Sequence, residues 1–156
     1  MGVNLVDELH AVAAALASER IAYAVCGGVA VSAHGAPRST KDIDIVVGRV
    51  DLARGLEAVR ALGYTFPALP MVFEEGTARE RHVQRVSKVV GKDHLLLDFL
   101  LAEAAFAGAL DDRIEVTLPE GRLSLVSLPT LLRLKRLAGR PQDLMDLERL
   151  EALDGA

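Results

Sequence analysis

Residues 26–47 read CGGVAVSAHGAPRSTKDIDIVV, and the fold turns on how this run is divided. Just before and into it, IAYAVC (21–26) has the apolar character of a short strand, and Gly27 and Gly28 break it. VAVSAHG reads as a brief helix ending at Gly35, and APRSTK as a loop with Pro37 and Ser39 as turn formers. DIDIVV (42–47) alternates polar with apolar residues, the period of a strand. Residues two apart on a strand share a face, so Asp42 and Asp44 lie together while Ile43, Ile45 and Val47 line the opposite, core-facing side. Two adjacent carboxylates repel, and each raises the other's pKa. A fold keeps such a pair cheaply where it is well solvated or where a cation sits between. Mg²⁺ suits the second case, because it needs only one or two protein carboxylates and completes its shell with water and phosphate oxygens. A solvated strand face near a sheet edge is the other reading of a bare Asp-x-Asp. The glycine pair also has two readings. It is a tight turn, or a place where backbone N–H groups approach a phosphate closely.

Working outward, residues 4–19 carry Leu5, Leu9, Val12 and Leu16 on one helical stripe, with Asn4 as the cap. Downstream, Asp51 is placed to cap a helix that runs to Leu62 and stops at Gly63. From Tyr64 to Gly91 the pattern is least regular. Pro67 and Pro70 flank apolar residues, EEGTARERH (74–82) reads as an exposed charged loop, and HVQRVSKVV fits a strand with poor apolar spacing. HLLLDFLL (94–101) is a strand with one acid in it. Asp98, set among Leu95, Leu96, Leu97, Phe99 and Leu100, is costly to bury without a partner. It is either a metal ligand or the partner of an arginine or loop. RIEVTL and RLSLVS form two strands around a turn at Pro119, Glu120 and Gly121. Two helices close the chain. Ser127 and Pro129 start the first and Gly139 ends it, and Pro141 opens the second, which carries Leu144, Leu147 and Leu150. The mixture is α/β.

Composition narrows the function classes. At 156 residues the chain fits one domain, and with 51% apolar residues it can build a proper core. A net charge of -4 argues against a protein that coats nucleic acid, which needs lysine and arginine to neutralise phosphates. The single cysteine, Cys26, forms no internal disulfide and points to a reducing, cytoplasmic setting. MGVNLVDELH lacks the basic start and apolar run of a signal peptide. No apolar stretch reaches the roughly 18 to 20 residues of a membrane span, so no membrane partner is expected.

Taken together, the glycine pair, the Asp-x-Asp strand and the later acid resemble the signature of the nucleotidyltransferase superfamily, which includes polymerase beta and kanamycin nucleotidyltransferase. Thirteen residues separate Gly28 from Asp42 here, close to the spacer of that signature. RSTKDIDIVV looks particularly like the AbiEii-type toxin nucleotidyltransferases of type IV toxin–antitoxin systems. The ending LKRLAGRPQDLMDLERL, with Lys135, Arg140, Asp143 and Asp146, is similar to the helical tail of their bacterial relatives. The resemblance runs from Ile21 to Leu150 and is poorest between Tyr64 and Gly91. It implies an α/β (α+β) nucleotidyltransferase fold over 1–156 as a single minimal domain, with a mixed sheet flanked by helices and a C-terminal helical pair.

The same resemblance implies roles. Gly27 and Gly28 would cradle a nucleoside triphosphate, with Arg38 and Lys41 meeting its phosphates. Asp42 and Asp44 would ligate Mg²⁺, or Mn²⁺ in its place. Asp98 would bind a second metal or act as the base for an acceptor hydroxyl. The acceptor would be an RNA such as transfer RNA, a protein or a small molecule, and a toxin-like member would have a cognate antitoxin. Two other functions share these residues: a catalytically silent partner-binding module, and a Mg²⁺-dependent phosphotransferase that releases a diphosphate. His34 reads as a hydrogen-bonded structural histidine, and His82 and His94 lack partners at zinc spacing. Cys26 reads as a small core residue, and Lys135 and Arg136 as helix-face charges within reach of a phosphate.

Overall fold

The computed structural model describes residues 4–35 and 42–154. Helix α1 spans Leu5–Ser18, and Asn4 caps it by accepting from the backbone N–H groups of Val6 and Asp7. Strand β1 (Tyr23–Cys26) runs directly into the short helix α2 (Gly27–Ala33), and β2 covers Asp42–Val47. A single 3-10 turn (Arg49–Asp51) leads into α3 (Leu52–Arg60). Asp51 was expected to cap that helix, but its carboxylate makes no cap bond and instead pairs with Arg54 at 2.9 Å. The irregular middle forms two very short strands, β3 (Phe66–Pro67) and β4 (Met71–Phe73), and the long β5 (Arg81–Val90). Arg81, expected in an exposed loop, therefore opens the strand that HVQRVSKVV suggested. β6 (Asp93–Leu101), β7 (Ile114–Leu118), β8 (Gly121–Leu125), α4 (Leu128–Ala138) and α5 (Pro141–Asp154) complete the chain. The signals at α4 act as the sequence suggests. Ser127 accepts from the Thr130 N–H, and Gly139 takes the left-handed conformation that ends the helix.

Among the described residues, eight strands join one mixed sheet in the order β3-β5-β6-β2-β1-β8-β7, with β4 also pairing with β5. The β2–β6 and β1–β8 pairs are parallel, and the other pairs are antiparallel. The pleat divides the core in two. Ile43, Ile45, Val47, Leu97 and Phe99 pack with Leu9, Val12 and Leu16 of α1 and Val59 of α3. Ala24, Cys26, Val46 and Leu100 face the other way and pack with α2, α4 and α5 through Val31, Leu131 and Leu150. Period-two alternation then puts Asp42, Asp44 and Asp98 on this second face. Among the described residues no helix is long and apolar enough to cross a membrane.

Candidate active site

The site is built on the two parallel strands at the middle of the sheet. Register sets Asp44 of β2 directly beside Asp98 of β6, and Asp42 beside Leu96. Paired positions point to the same face, so the three acids expected from the sequence are neighbours on one patch. On the other side of β2, Cys26 of β1 pairs with Asp44. Cys26 is buried, as its apolar flanks suggest.

The next residue explains the first glycine. Gly27 has a φ of +68°, a conformation that side chains rarely tolerate. A Cβ there would lie 2.1 Å from Asp44 Oδ2. The space that Gly27 leaves open is thus filled by the Asp44 carboxylate, which rests against the start of α2. Gly28 is buried one residue further on. Arg38 and Lys41 lie outside the described residues.

β5 supplies a residue that the sequence did not single out. Arg85 pairs in register with Asp98, and its Nε and Nη2 donate to Asp98 Oδ1 and Oδ2 at 2.8 and 3.0 Å. This two-pronged geometry is the strong form of an arginine–carboxylate bond. Asp98 is 8% exposed, and it has the arginine partner foreseen as one of its two readings. A signal for this partner was present. A two-residue turn at Gly91 and Lys92 joins β5 to β6, pairing Val90 with Asp93, and counting back along that hairpin sets Arg85 opposite Asp98. Four residues, Cys26, Asp44, Asp98 and Arg85, therefore form a row across four strands.

The charges in this row are not balanced. Burial, then the nearby Asp98 and Asp42 carboxylates, push the Asp44 carboxyl up to about 7, against the attraction of Lys135 and Arg85. Burial and the Asp44 charge also push the Cys26 thiol up. The hydrogen bond to Asp98 raises Arg85 above its ordinary value.

Lys135 departs from its expected place on a helix face. It is 8% exposed and sits between α4 and α5, with Nζ 3.1 Å from Asp143 Oδ1 and 3.0 Å from Asp146 Oδ2. Arg140 Nε reaches the other Asp143 oxygen at 2.7 Å. Burial disfavours the charged form of Asp143, but the bonds from Arg140 and Lys135 outweigh it and hold its carboxyl below the ordinary range. Arg136 does lie on the surface, paired with Glu151. His34 is structural, since its Nε2 donates to the Val126 carbonyl at 3.0 Å. His82 bonds Glu80 at 3.0 Å.

Among the described residues no group of three or more His, Cys, Asp and Glu side chains is arranged to hold a metal ion. Arg85 accounts for this at Asp98, whose two oxygens face the guanidinium. Asp42 and Asp44 are the other two carboxylates on this face, and their oxygens are hard donors. The excess negative charge around Asp44 fits a cation such as Mg²⁺, which takes one or two carboxylates from its protein.

Neither a protein-family model nor a curated protein sequence matches the chain. Solved structures do. A lincosamide antibiotic adenylyltransferase bound to lincomycin superposes with a TM-score of 0.56 at 13% identity, covering 97% of this chain and 98% of its own. ANT(2'')-Ia, solved with adenylyl-2''-tobramycin, gives 0.57 at 15% identity over 93% of this chain and 86% of its own. A Thermotoga maritima protein provisionally described as a nucleotidyltransferase gives 0.62 at 14% identity, over 97% and 93%. The fold is that of the nucleotidyltransferases. Within this nucleotidyltransferase fold, the acids lie on two central strands and the glycine pair opens the first short helix beside them.

Proposed function

We propose that this chain is a divalent-cation-dependent nucleotidyltransferase, moving a nucleoside monophosphate from a nucleoside triphosphate to an acceptor hydroxyl. The observation that carries the reading is the pairing of Asp44 with Asp98 on adjacent parallel strands, with Asp42 on the same face. Asp42 and Asp44 would hold the cation. Mg²⁺, or Mn²⁺ in its place, would offset the triphosphate's charge and polarise the α-phosphoryl group when bound. Gly27 and Gly28 would border the phosphates through their main chain, and Arg38 and Lys41 would supply positive charge to them. The acceptor oxygen attacks the α-phosphorus in line, the bond to the β-phosphate oxygen breaks, and pyrophosphate leaves with the proton lost from the hydroxyl. The chain's own contribution is positioning and fixed charge. Water is kept from one side of the acids by the buried thiol of Cys26 and the α2 packing.

The acceptor is the finer question. The two antibiotic-binding neighbours were solved with lincomycin and with an adenylylated tobramycin, and these ligands favour a small hydroxylated molecule. Transfer RNA, or a protein in a toxin–antitoxin pair, is the narrower alternative suggested by RSTKDIDIVV and the helical tail. The retained repulsion among the three acids speaks against a catalytically silent module.

The test is a transfer assay with each α-labelled triphosphate and Mg²⁺, offering small polyhydroxylated molecules, RNA and lysate protein as separate acceptors. Label that appears in one pool and vanishes in Asp42→Asn and Asp98→Asn establishes nucleotidyl transfer and the acceptor class. Transfer only from a γ-labelled triphosphate would instead identify a phosphotransferase. If no pool is labelled and no nucleotide binds with Mg²⁺, the reading is wrong.

A further inference from the structure

A two-ion arrangement needs a carboxylate at Asp98 that is open to a second cation. In this chain that carboxylate is already occupied. Arg85 donates to both oxygens, at 2.8 and 3.0 Å. The arginine is also held at its backbone. Its carbonyl accepts from the Ala68 N–H at 2.9 Å and from Gln84 Nε2 at 3.1 Å, and Gln84 Nε2 also donates to the Ala68 carbonyl at 2.6 Å. The short strand β3 and the residue after it thus brace the part of β5 that carries the guanidinium. The Arg85 side chain is 36% exposed and the Asp98 side chain 12% exposed, so the arginine covers the acid and still reaches the surface.

We propose that Arg85 is the built-in second cation of the acid site. It confines the divalent ion to Asp42 and Asp44 and presents a fixed positive charge beside it. A second divalent ion on Asp98 would lie next to the guanidinium, and two positive groups on one carboxylate repel. The guanidinium has five N–H groups, of which the Asp98 bonds use two. Donors left over suit the phosphate oxygens of a bound triphosphate, which arginine recognises through its planar fork. Asp98 is then a positioning residue that acts through Arg85. This inference rests on the nucleotidyltransferase reading and deepens it.

The experiment is a titration of the full chain with Mn²⁺ alone at pH 8, counting free ion by electron paramagnetic resonance. The native chain is expected to bind one ion. Arg85→Gln removes the charge and the fork, so it is expected to bind a second ion or hold the first about tenfold tighter, as added ligand charge strengthens such sites. Arg85→Lys keeps the charge and is expected to stay at one ion, and thermal unfolding of each variant confirms that it is folded. Two ions on the native chain would overturn the inference and leave nucleotidyl transfer standing. The same stoichiometry and affinity in Arg85→Gln as in the native chain would also overturn it. No binding in any of the three chains would overturn both the inference and the acid-site reading beneath it.

Discussion

The molecule gathers carboxylates in two places, and they are treated in opposite ways. Between α4 and α5, Asp143 and Asp146 meet Lys135 and Arg140, so two acids face two cations. On the sheet, Asp42, Asp44 and Asp98 share one face, and among the described residues Arg85 is the cation bonded to Asp98. In the helical nest the bonds overcome burial, and the Asp143 carboxyl is held below its ordinary range. On the sheet burial and repulsion win, and the Asp44 carboxyl rises to about 7. A balanced cluster stabilises the fold it sits in. An unbalanced one costs stability in the free protein and is worth keeping where a cation arrives from outside. Both clusters are acidic and partly buried, and it is charge balance that separates a structural nest from a candidate site.

The two clusters differ most in function at Asp44. Asp44→Asn removes one source of repulsion and a proposed cation ligand together. Transfer is expected to fall by about 10³-fold, the scale for losing a preorganised charge in a transition state. Thermal stability of the metal-free protein is expected to rise. A variant that lost both activity and stability would mean that Asp44 is a structural acid like Asp143. The next effect is at the nest. Lys135→Met leaves Asp143 and Asp146 buried with one charge partner removed, and urea unfolding is expected to show a loss of about 3–5 kcal/mol. An unchanged midpoint would place Lys135 among the surface charges after all. Third is Gly27→Ala, where the new methyl meets Asp44 Oδ2 and the positive φ adds strain. A loss of about 1–3 kcal/mol is expected in the same unfolding measurement. Transfer should fall with it because the carboxylate is pushed aside, and full activity would show that Asp44 need not lie against that backbone.

How much of this the sequence revealed depended on whether a residue's partner was near it in the chain. The alternation of DIDIVV put Asp42 and Asp44 on one face without help from the rest of the fold, and HLLLDFLL marked Asp98 as an acid needing a partner. Local signals at Asn4, Ser127 and Gly139 likewise act where they stand. The long strand β5 was obscure because its polar residues are satisfied at a distance. Arg85 bonds Asp98, and Lys88 bonds Glu8 near the other end of the chain at 2.9 Å. In sequence such charges look like solvent-facing ones and blur the period of two. Lys135 was misread for the same reason. On α4 alone it is a surface charge, and it becomes buried only when α5 folds back with two aspartates. Strands of two or three residues, such as β3 and β4, are too short to show any period, and they exist because β5 offers them an edge.

The smallest expected effect, and the sharpest test of the contrast, is in pH. Asp44 holds its proton in the folded, metal-free protein up to about 7, whereas an unfolded aspartate loses it near the ordinary value of 3.8. Between these values the folded state binds more protons than the unfolded one, so stability falls as pH rises. From pH 6 to pH 7 the loss is expected to be about 1 kcal/mol. Asp143 has the opposite sign. Its lowered carboxyl contributes stability above the unfolded value, and that contribution is lost only as pH drops below 3.8 through its folded value. It is therefore silent between pH 6 and pH 7. Chemical unfolding in a chelator at these two pH values should show the fall in the native chain and its absence in Asp44→Asn. Saturating Mg²⁺ should remove it as well, since a bound cation holds Asp44 ionised at both pH values. A fall that persists in Asp44→Asn would place the unbalanced charge elsewhere, and the distinction between the two clusters would lose its physical basis.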